Sequence, residues 1–300
     1  MLKAFRTYNS NGQFVPLRVG QPTIVFPGLD GGAEWGGPAV DQKGVLYVNS
    51  NEMAWLGTLA PRASEVGMSR GEALYRSQCS ACHGPERKGS PPAFPDLTQV
   101  ATRRAAAEMD AIIKGGKGRM PGFPQVSDEG RAAIIAFLRG TEAPAARGDR
   151  KEVGSGAAYQ FTGYQRFLDP DGYPAVGTPW GTLSAIDLNS GQYLWKIPLG
   201  EYPELVARGM TNTGSENYGG PIVTASGLLI IGATLRDQKL RIFDSRTGKL
   251  LWQTRLPYTG MATPITYSVG GRQFIAIATS NARNPTGAKG SAYVAYALPR

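Results

Sequence analysis

The sequence predicts a mixed fold, part of a β-propeller interrupted by a small all-α domain. Strand-like segments bounded by Gly and Pro fill both ends of the chain and repeat internally. The stretch 63–143 has helical spacing and helix caps instead. The composition agrees, with 40 Gly and 22 Pro in 300 residues marking a turn-rich chain and 41% apolar residues sufficing for substantial cores.

Residues 1–62 read as the first propeller strands. Thr23-Ile24-Val25-Phe26 is a short apolar run ended by Pro27-Gly28, and Gly44-Val45-Leu46-Tyr47-Val48-Asn49 is a strand entered from a turn. From Ser69 the period changes. Ser69 and Glu72 form a Ser-x-x-Glu capping box, with Leu74 and Tyr75 facing inward. A second helix is predicted over Arg103–Lys114, with Met109, Ile112 and Ile113 on one face and Gly115-Gly116 ending it. Ser127 caps a third, with Asp128 and Glu129 in its first turn, an Ile134/Phe137/Leu138 stripe and a stop at Gly140. Residues 144–171 read as an exposed linker, and 172–300 as the C-terminal propeller blades.

The β part repeats. Asp187, Gly191 and Trp195 recur as Asp244, Gly248 and Trp252, each 57 positions later. Trp35-Gly36-Gly37-Pro38 recurs as Tyr218-Gly219-Gly220-Pro221, with a looser copy at Thr263-Pro264. One antiparallel sheet per repeat, with a tryptophan packed on the next sheet, is propeller logic. A sandwich with two similar hairpins is the plainer alternative. About 210 residues lie outside the helical part, enough for four or five blades at roughly 40–50 residues each. A tryptophan-repeat ring normally has more, so the propeller is expected to be incomplete.

Both cysteines and the only histidine fall together in Cys79-Ser80-Ala81-Cys82-His83. Cys-x-x-Cys-His is the pattern for covalent attachment of haem c, with thioethers from Cys79 and Cys82 and His83 as proximal ligand. A redox dithiol lacks the βαβ context and does not need the histidine. A zinc site lacks a third and fourth soft ligand. With one histidine, bis-imidazole ligation is excluded and methionine is the next choice. Met120, in the Gly/Pro loop Gly118-Arg119-Met120-Pro121-Gly122, is the candidate axial ligand. Met109 on a helix stripe, or an open position, are the alternatives. The second nitrogen of His83 needs an acceptor, for which the backbone carbonyl of Pro95 is at the right distance along the chain.

The net charge of +9 is spread out, without a basic run carrying interleaved aromatics. Nucleic acid is therefore not an expected partner. A basic surface suits solubility or an acidic redox partner. No segment approaches the 18 or so apolar residues that a transmembrane helix needs. The first residues lack the apolar core of a signal peptide. Haem c is attached outside the cytoplasmic membrane in bacteria, so a periplasmic location and a longer parent protein are expected.

These residues resemble two known families joined together. Cys79, Cys82 and His83, then Pro95-x-Leu97, Met120-Pro121 and the closing helix make residues 66–142 similar to a class I cytochrome c domain. Phe26-Pro27-Gly28, Glu34-Trp35-Gly36-Gly37, Trp180-Gly181-Thr182-Leu183, Tyr218-Gly219-Gly220-Pro221 and the closing stretch Ala292–Pro299 resemble the C-terminal half of the pyrroloquinoline-quinone (PQQ) dehydrogenases, especially the membrane-type quinoprotein glucose dehydrogenases. The resemblance implies an eight-bladed propeller holding PQQ and a divalent metal, usually Ca²⁺. It implies PQQ contacts from Glu34 and Trp35 on one side and from Asn217, Tyr218 and Gly219 on the other. The family's catalytic aspartate and PQQ-contacting lysine have no counterpart here, so the catalytic residues are unknown.

The expected function follows from the two halves. A PQQ propeller oxidises a sugar, of aldose or glucose type, or an alcohol. The haem passes the electrons to an external acceptor, a cytochrome or a quinone. The alternatives are a stand-alone c-type electron carrier whose β part only docks it, and a catalytically incomplete fragment.

Overall fold

The computed structural model describes residues 2–12, 14–61, 68–91, 93–142, 158–282 and 288–298. The chain opens with the short helix α1 (Leu2–Phe5), followed by β1 (Thr23–Val25), β2 (Ala39–Val40), β3 (Val45–Asn51), β4 (Trp55–Gly57) and β5 (Leu59–Pro61). Helices α2 (Arg70–Gln78), α3 (Ser80–His83), α4 (Val100–Arg103), α5 (Ala106–Gly115) and α6 (Asp128–Arg139) come next. Strands return as β6 (Tyr159–Phe161), β7 (Gln165–Arg166), β8 (Gly181–Asp187) and β9 (Tyr193–Pro198). After the turn α7 (Pro203–Val206) come β10 (Ile222–Val223), β11 (Leu228–Ile231), β12 (Lys239–Asp244), β13 (Leu250–Arg255), β14 (Ile265–Val269), β15 (Arg272–Ser280) and β16 (Ser291–Ala297). They form two compact units, Met1–Val25 with Trp55–Arg166, and Phe26–Ala54 with Phe167–Arg300.

The second unit consists of antiparallel sheets in the orders β2-β3-β8-β9, β10-β11-β12-β13 and β14-β15-β16. In β11 all four residues are apolar because the strand is covered on both faces. Leu229 and Ile231 join the core with Tyr47, Leu183 and Phe243, while Ile230 points to the other side with Leu240, Leu256 and Ile277. The 57-residue repeat is visible in the backbone. Each copy has a register shift, between Ala185 and Ile186 and between Ile242 and Phe243. Each turn is closed by its aspartate and by a glycine with φ of +70°. Trp195 Nε1 donates to Ser245 O at 3.0 Å, so the tryptophan of one sheet docks on the turn of the next. Trp252 then packs edge-on against Tyr296 of β16, with 5.5 Å between centroids. This succession is the one expected of blades.

The two aspartates make a pH prediction. The amide of Asn189 and the Ser190 hydroxyl hold the Asp187 carboxyl below the usual aspartate range. The Thr247 hydroxyl and the amides of Thr247 and Arg246 do the same for Asp244. A carboxyl with a depressed folded pKa stabilises above its unfolded value and loses that contribution as the pH falls through the folded one. The sheet unit should therefore lose stability below about pH 4. The double variant Asp187→Asn/Asp244→Asn should show a shallower acid limb in thermal unfolding from pH 7 to 3. An acid limb identical to the parent's would refute this.

In the first unit the helices close on a core of Tyr75, Val100, Met109, Ile113, Val126, Ile134, Ile135 and Leu138. Helices α2 and α6 cross closely, where a Cβ on Gly71 would overlap the Ala133 carbonyl. The rings of Tyr75 and Phe137 meet there at 5.4 Å. Ser69 caps α2 by accepting from Glu72 N at 3.2 Å, and Ser127 caps α6 by accepting from Gly130 N at 3.1 Å. Gly140 ends α6 in the left-handed region, as its sequence position suggests.

The structure differs from the expectation in several places. The helix expected over Arg103–Lys114 is two helices. Arg104 is extended and Ala105 starts α5 without a side-chain cap, so no local signal marked the break. The boundary at 62/63 and the linker residues 144–157 lie outside the described residues. The rest of the expected linker is not bare, since β6 pairs with β5 and β7 with β4. Of the strands in 1–62, only β2 and β3 join a blade-type sheet, while β1 pairs with β4. These short strands add no further blade, which is why the described residues hold fewer than the expected four or five.

Candidate functional site

The Cys-x-x-Cys-His motif sits where two helices meet. Cys79 ends α2, its amide donating to Tyr75 O at 2.8 Å, and α3 carries Cys82 and His83. Gly84, with φ of +73°, ends that turn. The two thiols are free rather than joined in a disulfide. Burial, followed by the charge of Cys82, pushes the Cys79 thiol up to about 12, and burial also raises Cys82. Both are therefore neutral, the opposite of the low-pKa thiolate a redox dithiol needs.

His83 is buried, and burial holds its pKa below the ordinary histidine value despite the opposing Pro95 carbonyl. At neutral pH its ring is uncharged. Nδ1 lies 3.1 Å from Pro95 O, the acceptor expected from the sequence. With Nδ1–H donating there, the Nε2 lone pair is the one directed to a metal. The carbonyl is brought into place by a compact loop. Gly89 N donates to His83 O at 2.8 Å, and a Cβ on Gly89 would come within 2.6 Å of Pro95 O. Only glycine, here at φ +61°, lets the chain close so tightly. Nothing local in the sequence marks Gly89 for this task.

Met120 lies in the loop between α5 and α6, tied by hydrogen bonds of 3.0 and 3.2 Å exchanged with Lys117. It is half-buried against the same helical core as Cys79, Leu97 and Phe123. Met109 is buried in that core from α5. Two free thiols and a neutral imidazole of fixed tautomer, with Cys79 and the Met120 thioether packed on one apolar core, fit a haem c in their chemistry. Among the described residues no group of three or more His, Cys, Asp or Glu could hold a metal ion.

The other candidate residues belong to the sheet unit. Glu34 is half-buried and Trp35 is 64% exposed. Asn217 is fully buried, and its amide is spent internally. Its Oδ1 accepts from Asn49 at 2.6 Å, and its Nδ2 donates to Ser50 O and Ser215 O, each at 3.1 Å. Tyr218 is buried beside it. A Cβ on Gly219 would lie 2.8 Å from Met261 O, and one on Gly220 would overlap the Gly36 carbonyl. Thr263 Oγ1 donates to that same carbonyl at 3.1 Å. The three repeated Gly/Pro loops are thus in backbone contact with one another. The structure brings together Asn217, Tyr218 and Gly219 in a closed interior, and leaves the Trp35 indole open.

A family model described as the PQQ β-propeller domain of glucose/ethanol/alcohol dehydrogenases matches residues 1–100 and 126–275. The chain belongs to the PQQ dehydrogenase β-propeller family. A second model, described as subunit III of cbb3-type cytochrome c oxidase, matches residues 67–138, so this quinoprotein chain also carries a cytochrome c domain. The glycerol dehydrogenase large subunit of Gluconobacter oxydans (strain 621H) is 27% identical over 98% of this chain and 32% of its own length. The quinoprotein glucose dehydrogenase of Escherichia coli (strain K12) is 39% identical over 44% of this chain and 17% of its own length. Among solved structures, the quinohemoprotein alcohol dehydrogenase from Comamonas testosteroni matches 93% of this chain and 28% of that one, with 15% identity and a TM-score of 0.46. The quinoprotein chain thus spans about a third or less of the length of these curated relatives.

Proposed function

We propose that this chain is the electron-transferring part of a PQQ-dependent sugar or polyol dehydrogenase. In the loaded protein PQQ would take electrons from the substrate, and a haem c held by this chain would hand them to an external cytochrome or quinone. One observation carries the reading. A site fitted to haem c, made by Cys79, Cys82, His83 and Met120, lies on the same polypeptide as a PQQ-dehydrogenase propeller domain. When bound, PQQ would supply a two-electron acceptor and haem a one-electron carrier.

The chain's own residues have distinct tasks in this proposal. Cys79 and Cys82 tether the haem. His83, its tautomer set by Pro95, and Met120 would be the protein's ligands to the iron, and with both bound the haem would carry electrons rather than activate a small molecule. Trp35, with its exposed indole face, and Glu34 are the proposed side-chain contacts to PQQ. Asn217, Tyr218 and Gly219 support that surface from behind. The propeller is of eight-bladed type and the cytochrome is an all-α domain inserted in it. The remaining blades, the catalytic base and the Ca²⁺ ligands would come from other parts of a longer protein. No described helix is long and apolar enough to cross a membrane. Haem c chemistry favours the periplasm.

The test uses the complete protein loaded with PQQ and Ca²⁺. Adding an aldose or glycerol should reduce the haem, as read by its visible spectrum. A haem that stays oxidised across a panel of aldoses, polyols and primary alcohols would sink the proposal. Met120→Ala should lower the haem midpoint potential, because a thioether favours the ferrous state relative to most replacement ligands.

A further inference from the structure

The residue beside the Pro95 carbonyl that meets His83 is packed on rings from outside the helices. Pro95 itself is exposed, and its loop is tied by the paired bonds of 2.9 and 3.0 Å between Ser90 and Phe94 and by Leu97 N donating to Arg87 O at 2.7 Å. The side chain next to it, Phe94, is anchored on two rings. It stacks on Tyr164 at 6.2 Å and 20°, and meets Trp55 edge-on at 6.4 Å and 71°. Trp55 is 1% exposed, with the Arg166 guanidinium over its ring at 5.3 Å, and Tyr164 meets Phe161 at 4.6 Å. Trp55 precedes the helices in the chain, and Phe161, Tyr164 and Arg166 follow them.

The same returning segment also reaches the haem motif. Gly163, with φ of +104°, passes so close to α3 that a Cβ there would lie 3.5 Å from Ala81 O and 3.6 Å from Gly84 Cα. One short stretch, 161–166, thus bears on both partners of the His83–Pro95 hydrogen bond. It bears on the helix that carries the donor and on the phenylalanine beside the acceptor.

We propose that Trp55, Phe94 and Tyr164 act as positioning residues that hold the Pro95 carbonyl on His83 Nδ1 and so set the reduction potential of the haem. This rests on the haem c reading above. The physical link is the basicity of the ligand. A firm Nδ1–H···O=C bond makes the imidazole a stronger donor to iron and favours the ferric state. Loosening it favours the ferrous state and raises the potential. If the rings were only core packing, removing one would lower stability and leave the potential alone.

The test is a redox titration of the haem-loaded full chain and its variants. Tyr164→Leu should shift the midpoint potential upward, and Tyr164→Phe, which keeps the stacked ring, should titrate with the parent. Phe94→Leu is the second variant, should Tyr164→Leu not fold, and should shift it the same way. A Leu variant that retains covalent haem and methionine ligation but titrates at the parent potential would overturn the inference. A parent chain that takes up no covalent haem when made with haem-attachment machinery would overturn the underlying site reading instead, so the two failures are distinct.

Discussion

A chain in which Cys79 and Cys82 are both serine is expected to carry no haem after denaturation, and its helical unit is expected to lose much of its helix signal. The attachment chemistry needs two unpaired thiols beside an imidazole, and these are the only cysteines among 300 residues. A serine hydroxyl cannot form the thioether. The second effect comes from packing. Cys79, Leu97, Met120 and Phe123 pack only partly buried against the helical core, so a tethered apolar group would add burial that the serine variant lacks. Cys82→Ser alone should keep one thioether and give partial loading. The measurements are intact mass under denaturing conditions and circular dichroism. A full haem mass on the double serine variant would remove the basis of the assignment.

Gly220→Ala should destabilise the sheet unit by roughly 3 kcal/mol, the upper end for overpacking, because the new methyl meets backbone rather than a side chain that can swing away. The Gly36 and Gly37 carbonyls occupy its place. Gly36→Ala faces the same crossing from the other side, so the double variant should cost much less than the sum. Gly177, with nothing within 4 Å of its would-be Cβ and no positive φ, is the control, and Gly177→Ala should be nearly neutral. Urea unfolding followed by tryptophan fluorescence reads all four. A Gly220→Ala midpoint equal to that of Gly177→Ala would show that the loops do not cross this closely in solution.

The legible parts of this protein were those whose chemistry is local. Haem attachment needs residues three and four positions apart, so Cys79, Cys82 and His83 declare themselves. Ser69, Ser127 and Gly140 cap helices through bonds that reach only three or four residues. The aspartate-glycine turns repeat because each closes its own hairpin. Met109 falls on the apolar stripe of its helix by period alone, and it is buried there.

What the sequence left open depends on partners distant in the chain. Residues 1–62 read as strands, but nothing local says that Val45 pairs with Asp187 across the whole helical segment, or that β1 pairs with β4 instead of a blade. A strand's alternation fixes its faces, not its neighbours. Asn217 was singled out as a ligand contact by its company, and the fold spends its amide on Asn49, Ser50 and Ser215. The sequence by itself determined the Cys-x-x-Cys-His motif, the likeness to PQQ dehydrogenases and the helix ends. Tertiary structure alone decided that Phe94, beside the Pro95 carbonyl, packs on rings from chain segments before and after the helices, and that the repeated glycine loops cross. Such encounters are set by the packing of segments far apart in the chain, which no short stretch of residues encodes.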